Sequence, residues 1–68
     1  EELAQALDEL PSEQRLVFEQ TELNGVSFKD LSAQTGVPVK TLLSRKHYAV
    51  KHLRKRLKEV YEALLYDD

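Results

Sequence analysis

The break at "TGVPV", residues 35–39, most constrains what this chain can fold into. Gly36 can adopt the left-handed conformation that ends a helix without a Cβ penalty. Pro38 suits the first turn of a new helix, where a missing N–H is tolerated. The flanking residues have helical spacing, so the pattern predicts a short helix, a tight turn and a long helix that leaves at a fixed angle. Val37, inside the turn, is expected to pack into the core.

Two helices are predicted before this helix pair. Residues 1–10 space their apolar side chains at helical intervals and place acids in the first turn, which suits the positive end of a helix. Pro11 separates them from a second helix that has Ser12 as its predicted N-cap and ends near Leu23, before the turn signal Asn24-Gly25. The side chains expected to face inward are Leu3, Ala6, Leu7, Leu10, Leu16, Val17, Phe18 and Leu23.

The third and fourth helices complete an all-α prediction. Ser27 is the predicted N-cap of the third helix, with Asp30 at the third helical position in a variant of the capping box. Phe28 and Leu31 then face the core. The fourth helix is predicted from about Pro38 to Leu64, roughly 40 Å at 1.5 Å per residue. The fold class is a four-helix domain with a helix-turn-helix: short third helix, glycine turn, long recognition helix.

The fourth helix separates into two faces when each residue is rotated by about 100°. One face is apolar and is expected to anchor the helix; the other is basic and exposed. The apolar set is Val39, Leu42, Ala49, Val50, Leu53, Leu57, Val60 and Leu64, and the exposed set is Lys40, Ser44, His47, Lys51, Arg54, Lys55 and Lys58. Lys46 lies within the apolar set, so its ammonium is expected to reach solvent or an acid among Glu19, Glu22 and Asp30.

Charge is divided sharply along the chain, although the net charge is only −2. Residues 1–34 hold eight acids and two bases, whereas residues 35–58 hold eight bases and no acid. A solvated helix face is one reading of such a run. Twenty-four residues without a compensating acid favour the other reading, a surface that binds a polyanion.

Composition narrows the remaining functions. Sixty-eight residues without cysteine make one domain, residues 1–68, with no disulfide or thiolate metal ligand. The first residue is Glu1 rather than Met, so the chain is expected to be a fragment of a longer protein. No apolar run has the length of a membrane span. His47 and His52 lie on different helix faces with no further ligand nearby, and no nucleophile is arranged for catalysis. We therefore expect no metal, no cofactor and no enzymatic activity.

The stretch "LPSEQRLVFEQTELNGVSFKDLSAQTGVPVKTLLSRKHYAVKHLRKRL", Leu10 to Leu57, resembles region 4 of bacterial sigma factors, especially the extracytoplasmic-function group of the sigma-70 family. The resemblance implies a cytoplasmic domain that reads the −35 promoter element in double-stranded DNA together with core RNA polymerase. The resemblance also allows an anti-sigma factor as a partner, and it implies no contact with a membrane. The DNA contacts that it implies fall on Ser27, Lys29, Lys40, Thr41, Ser44, Arg45, His47, Tyr48 and Lys51.

The resemblance also implies a contact with the flap of the polymerase β-subunit, loosely assigned to Leu16, Phe18 and Leu23, each of which could equally belong to the core. Leu43, Lys46 and Tyr48 depart from the family pattern and bear on the promoter sequence and the register of the helix on DNA. Tyr48 can pack on a thymine methyl, bond a phosphate or do neither. Two alternatives remain: a stand-alone helix-turn-helix regulator, and a protein-interaction module with a basic face.

Overall fold

The computed structural model describes residues 2–66, and the side chains of residues 2–59. Within this part of the chain every regular element is helical, as predicted. The elements are α1 (Glu2–Asp8), α2 (Ser12–Phe18), a π-helical turn (Glu19–Leu23), α3 (Phe28–Thr35) and α4 (Val39–Tyr66). None of these helices combines the length and apolar character needed to cross a bilayer.

The start of α2 differs from the prediction, because Pro11 and not Ser12 is the N-cap. Pro11 has extended backbone angles, φ −54° and ψ 144°, and its carbonyl accepts the N–H groups of Gln14 and Arg15, each at 3.0 Å. Ser12 therefore already lies in the first helical turn, and no side chain caps this helix. Pro38 behaves similarly before α4, since its carbonyl accepts the N–H of Leu42 at 3.1 Å.

The core consists of two small hydrophobic clusters. The α1–α4 cluster contains Ala6, Leu7, Leu10, Ala49 and Leu53, with Leu3 and Phe18 packed against it. The helix-turn-helix cluster contains Val17, Leu31 and Leu42, with Val26, Phe28 and Val37 packed against it. One face of α4 thus contributes to both clusters, and α1, α2 and α3 rest on that face. The inward positions predicted for Val37, Phe28 and Leu31 are confirmed.

Two residues of the second predicted helix lie outside this core. Leu16 is 45% exposed and Leu23 is 59% exposed, so their predicted inward positions are wrong. Leu16, Val17 and Phe18 are consecutive and point in directions about 100° apart, and only the last two meet other helices. Leu23 ends a π-helical turn, which holds more residues per turn than an α-helix and alters the phase of the apolar pattern.

The apolar stripe of α4 is also narrower than predicted. Leu42, Ala49 and Leu53 are buried, whereas Val39 and Leu57 are exposed. Val39 is the first residue of α4, and Leu57 lies one turn beyond Leu53, the last of the described α4 residues in the α1–α4 cluster. The predicted burial of Val60 and Leu64 falls outside the described side chains.

Lys46, a base within the apolar set of α4, pairs with one of the acids predicted for it. Its side chain crosses from α4 to the π-helical turn, where the ammonium pairs with Glu22. The same Nζ lies 5.3 Å from the centre of the Phe28 ring, within the range of a cation–π contact. Glu22 is one of the three acids predicted for this pair. The two contacts of Lys46 join α4 to the π-helical turn and to the start of α3.

Candidate nucleic-acid interface

The turn between α3 and α4 is fixed by several local contacts. Gly36 is left-handed at φ 75°, ψ 5°, and its N–H donates to the Ser32 carbonyl at 2.9 Å. Thr35 Oγ1 donates to the Leu31 carbonyl at 2.7 Å and accepts the Val37 N–H at 3.2 Å. Val37 in turn packs on the helix-turn-helix cluster. The direction in which α4 leaves the turn is therefore set by both backbone and side-chain contacts.

The start of α3 is capped as predicted. Ser27 Oγ accepts the Asp30 N–H at 3.0 Å, which satisfies one of the free donors of the first turn. Ser27 is exposed, and so is Lys29 in the same turn. These two residues, which the resemblance assigns to DNA contact, lie at the surface at the beginning of α3.

Seven of the eight Lys and Arg residues of α4, all except Lys58, fall into two groups according to the acids around them. The first group turns toward the preceding helices and is paired there: Arg45 with Glu13, Lys46 with Glu22, and Arg56 with Glu9, a carboxylate that His52 also contacts. The second group forms no ion pair with the described residues and is exposed: Lys40, Lys51, Arg54 and Lys55. The described ion pairs between α4 and the first 34 residues therefore all lie on one side of α4, its inner flank.

The outer face of α4 contains most of the predicted DNA contacts. Lys40, Thr41 and Ser44 are exposed in its first two turns, and His47, Tyr48 and Lys51 follow them, also exposed. The rings of His47 and Tyr48 meet edge to face, with centroids 5.5 Å apart. An α-helix with its side chains is about 10–12 Å across, which matches a major groove about 12 Å wide. These residues form one accessible face of α4.

Arg45 has a different environment from the other predicted DNA contacts. Its side chain is half-buried, and its Nη2 lies 3.7 Å from Glu13 Oε2 at the start of α2. The guanidinium therefore faces α2, away from the outer face that Ser44 and Lys51 share. The sequence carried no signal for this pair, because the two residues are 32 positions apart.

A second acid, Glu9, joins the segment after α1 to α4. Its Oε1 lies 2.9 Å from His52 Nε2 and accepts Arg56 Nε–H at 2.8 Å. These contacts lower the pKa of Glu9, the hydrogen bond with His52 contributing most. The cluster stabilises the packing of α1 on α4, and it holds His52 and Arg56 away from the outer face. It too was missed from the sequence, since its members are more than 40 positions apart.

The three residues assigned to a polymerase contact do not share one environment. Phe18 packs against the α1–α4 cluster and is therefore part of the core. Leu16 and Leu23 are exposed, as described above, and belong to neither cluster. A further exposed leucine is Leu43, which departs from the family pattern and is 49% exposed in the second turn of α4. Its offset of about 100° from the buried Leu42 accounts for this exposure.

Comparison with known proteins is consistent with this geometry. The profile of the family described as "Sigma-70, region 4" matches residues 1–53, which include α1, α2, α3 and the first half of α4. No curated protein and no solved structure gives a significant match. The matched residues hold both hydrophobic clusters, the Gly36 turn and the exposed first turns of α4. The chain therefore belongs to the sigma-70 region 4 family, whose role is promoter recognition as part of RNA polymerase.

Proposed function

We propose that the outer face of α4 enters the major groove of the −35 element, with a division of labour along the helix. The first two turns, with Lys40, Thr41 and Ser44, meet base edges, and His47 and Tyr48 border them. Lys51 and Lys55, farther along, neutralise phosphates. The single observation that carries this proposal is the separation of the α4 bases into a paired inner group and an exposed outer group.

Electrostatics supports phosphate binding by the outer group. A base already paired with a carboxylate must give up that partner to bind a phosphate, whereas Lys51 and Lys55 have no such partner among the described residues. Neutralising a phosphate releases condensed counterions, which makes binding dependent on salt. Arg45, paired with Glu13, fits the other group, and we propose that it orients α4 on α2.

Salt titrations of duplex binding test this arrangement. Lys51→Gln and Lys55→Gln should each flatten the slope of log K against log[salt] by about 0.9 and weaken all sequences alike, measured by fluorescence anisotropy. Ser44→Ala should instead reduce the preference for the correct base at one position of the site by about 1–3 kcal/mol.

Arg56→Gln is the matched control, since it removes the same charge from the side of α4 that Glu9 holds. It should leave the salt slope nearly unchanged. Equal slopes for Arg56→Gln and Lys51→Gln would show that net charge alone matters and would refute the proposed interface.

We also propose that the chain acts as the DNA-reading module of a longer protein. Within this module, Leu16 and Leu23 contribute to binding of the β-subunit flap of RNA polymerase. Leu16 lies in α2 and Leu23 in the π-helical turn, outside α4, and exposed leucines suit an apolar protein partner. Leu16→Ser with Leu23→Ser should weaken binding to core polymerase and leave binding to DNA unchanged. Leu57→Ser, at a leucine that is 46% exposed on α4, is the control and should preserve polymerase binding.

A further inference from the structure

Leu43 is an apolar side chain in the part of α4 that the proposed function places in the groove. It is 49% exposed and belongs to neither hydrophobic cluster. Lys40 precedes it by three residues and His47 follows it by four, so both are its neighbours on the helix surface. Lys40, Leu43, Ser44 and His47 share a sector about 100° wide. A single exposed leucine is ordinary, but one at the edge of the outer face, with Lys40 and His47 on one side, is placed to meet a base edge.

The chemistry of the major groove restricts what a leucine can recognise. Each base edge presents a hydrogen-bond donor, an acceptor or both, and thymine adds a 5-methyl group. Leucine can neither donate nor accept a hydrogen bond, so it would desolvate a polar base edge without replacing the lost bonds to water. Contact with the thymine methyl has no such cost and buries apolar surface on both sides.

The backbone at Leu43 is held firmly enough for such selectivity. The preceding residue, Leu42, is 1% exposed and lies in the helix-turn-helix cluster, which fixes this turn of α4 against α2 and α3. Side chains on a helix lean toward its N-terminus, so Leu43 covers the surface beside Lys40.

We infer that Leu43 is a specificity-determining residue that packs on the 5-methyl group of a thymine in the recognised element. This inference rests on the proposed function and names one base of the recognised DNA: a thymine lies opposite the second turn of α4. Ser44 and Lys40 then read or bind the polar groups on either side of that methyl.

Replacement of thymine by uracil tests the inference, because it removes the methyl and leaves every base-pairing group in place. The preferred duplex is first selected with the 68-residue chain from a random library at low salt, and each thymine is then replaced singly. One replacement should weaken binding by the wild-type chain about three- to fivefold, the value of one buried methyl group. In Leu43→Ala that difference should disappear, while the effects of the other replacements persist.

Leu57→Ala is the matched control, since Leu57 is similarly exposed, 14 positions farther along α4. It should retain the uracil effect. A wild-type chain that binds the selected duplex with the same affinity for every uracil variant, or an effect that survives in Leu43→Ala, would overturn the inference alone. A large fall in the melting temperature of Leu43→Ala would also overturn it, by assigning the side chain to the core. Absence of any salt-dependent duplex binding would instead refute the proposed function.

Discussion

The α1–α4 cluster and the helix-turn-helix cluster are built on the same face of α4 but hold different partners. The first buries five residues and fixes α1 against the middle of α4, where Glu9 adds contacts with His52 and Arg56. The second buries three residues and fixes α2 and α3 against the beginning of α4. The orientation of the turns that we place in the groove therefore depends on the smaller cluster and on the Gly36 turn.

This difference separates stability from recognition. The α1–α4 cluster contributes more buried residues but lies farther along α4 from Lys40 and Ser44. The helix-turn-helix cluster contributes fewer, yet Leu42 is adjacent to Leu43 and two residues before Ser44. A substitution in either cluster should lower the free energy of unfolding, whereas only one in the smaller cluster should also displace the reading residues.

The largest effects are expected from truncating one leucine of α4 in each cluster. Leu42→Ala and Leu53→Ala remove side chains that are 1% and 5% exposed, so each should lower the free energy of unfolding by about 2–5 kcal/mol. Urea denaturation followed by circular dichroism measures this loss. At a temperature where both variants remain folded, Leu42→Ala should weaken DNA binding more than Leu53→Ala, and the reverse order would contradict the separation.

The two left-handed glycines provide the next test. Gly36 has φ 75° and Gly25 has φ 69°, and a Cβ at either position would meet no atom within 4 Å. Substitution by alanine should therefore cost about 1–2 kcal/mol at each site, entirely from the backbone conformation. Gly36→Ala should also reduce DNA affinity, because it alters the exit of α4.

Gly25→Ala serves as the control, since its turn joins the π-helical turn to α3 and lies outside the α3–α4 connection. Thermal melts should show similar losses for both variants, and anisotropy should separate them. If the two substitutions lowered DNA affinity equally after correction for the unfolded fraction, the Gly36 turn would have no special role in recognition.

A smaller effect is expected at the contact between Lys46 and Glu22. It links α4 to the segment before α3, but both groups remain partly in solvent. A double-mutant cycle with Lys46→Met and Glu22→Gln should give a coupling energy of about 0.2–1 kcal/mol, decreasing as salt is added. Lys46→Met keeps an apolar stem over Phe28, so a coupling that persists at high salt would indicate packing rather than charge.

Local sequence signals were sufficient for much of this fold. Ser27 with Asp30 gave the start of α3, Gly36 gave its end, and the period of the apolar residues gave the buried face of α4. Each of these features depends on residues within a few positions of one another. The exposure of Lys40, Ser44 and Lys51 followed from the same period, because the opposite side of an anchored helix faces solvent.

Features that depend on distant residues could not be obtained in the same way. The pairs Glu13–Arg45 and Glu9–Arg56 exist only once α1 and α2 have docked on α4. The π-helical turn that exposes Leu23 has no sequence signature that we can identify. Lys46 illustrates the boundary: its need for an acid was evident from its position, but the choice of Glu22 required the folded chain.

The smallest effect concerns the Glu9 cluster and acid pH. Contacts with His52 and then Arg56 lower the pKa of Glu9 from its ordinary 4.5. The folded chain therefore binds fewer protons at Glu9 than the unfolded chain, so this contribution to stability is present above pH 4.5 and is lost as the pH falls through the folded-state pKa.

Glu9→Gln should flatten the dependence of unfolding free energy on pH in this acid range, and carboxyl NMR titration of Glu9 gives the pKa directly. His52→Ala and Arg56→Ala should each raise that pKa toward 4.5, because both residues stabilise the carboxylate, and the hydrogen bond with His52 is the largest single cause. An unchanged pKa in His52→Ala would contradict this contact. Neither substitution should change the salt slope of DNA binding, because both bases lie on the flank of α4 that α1 holds and away from the outer face.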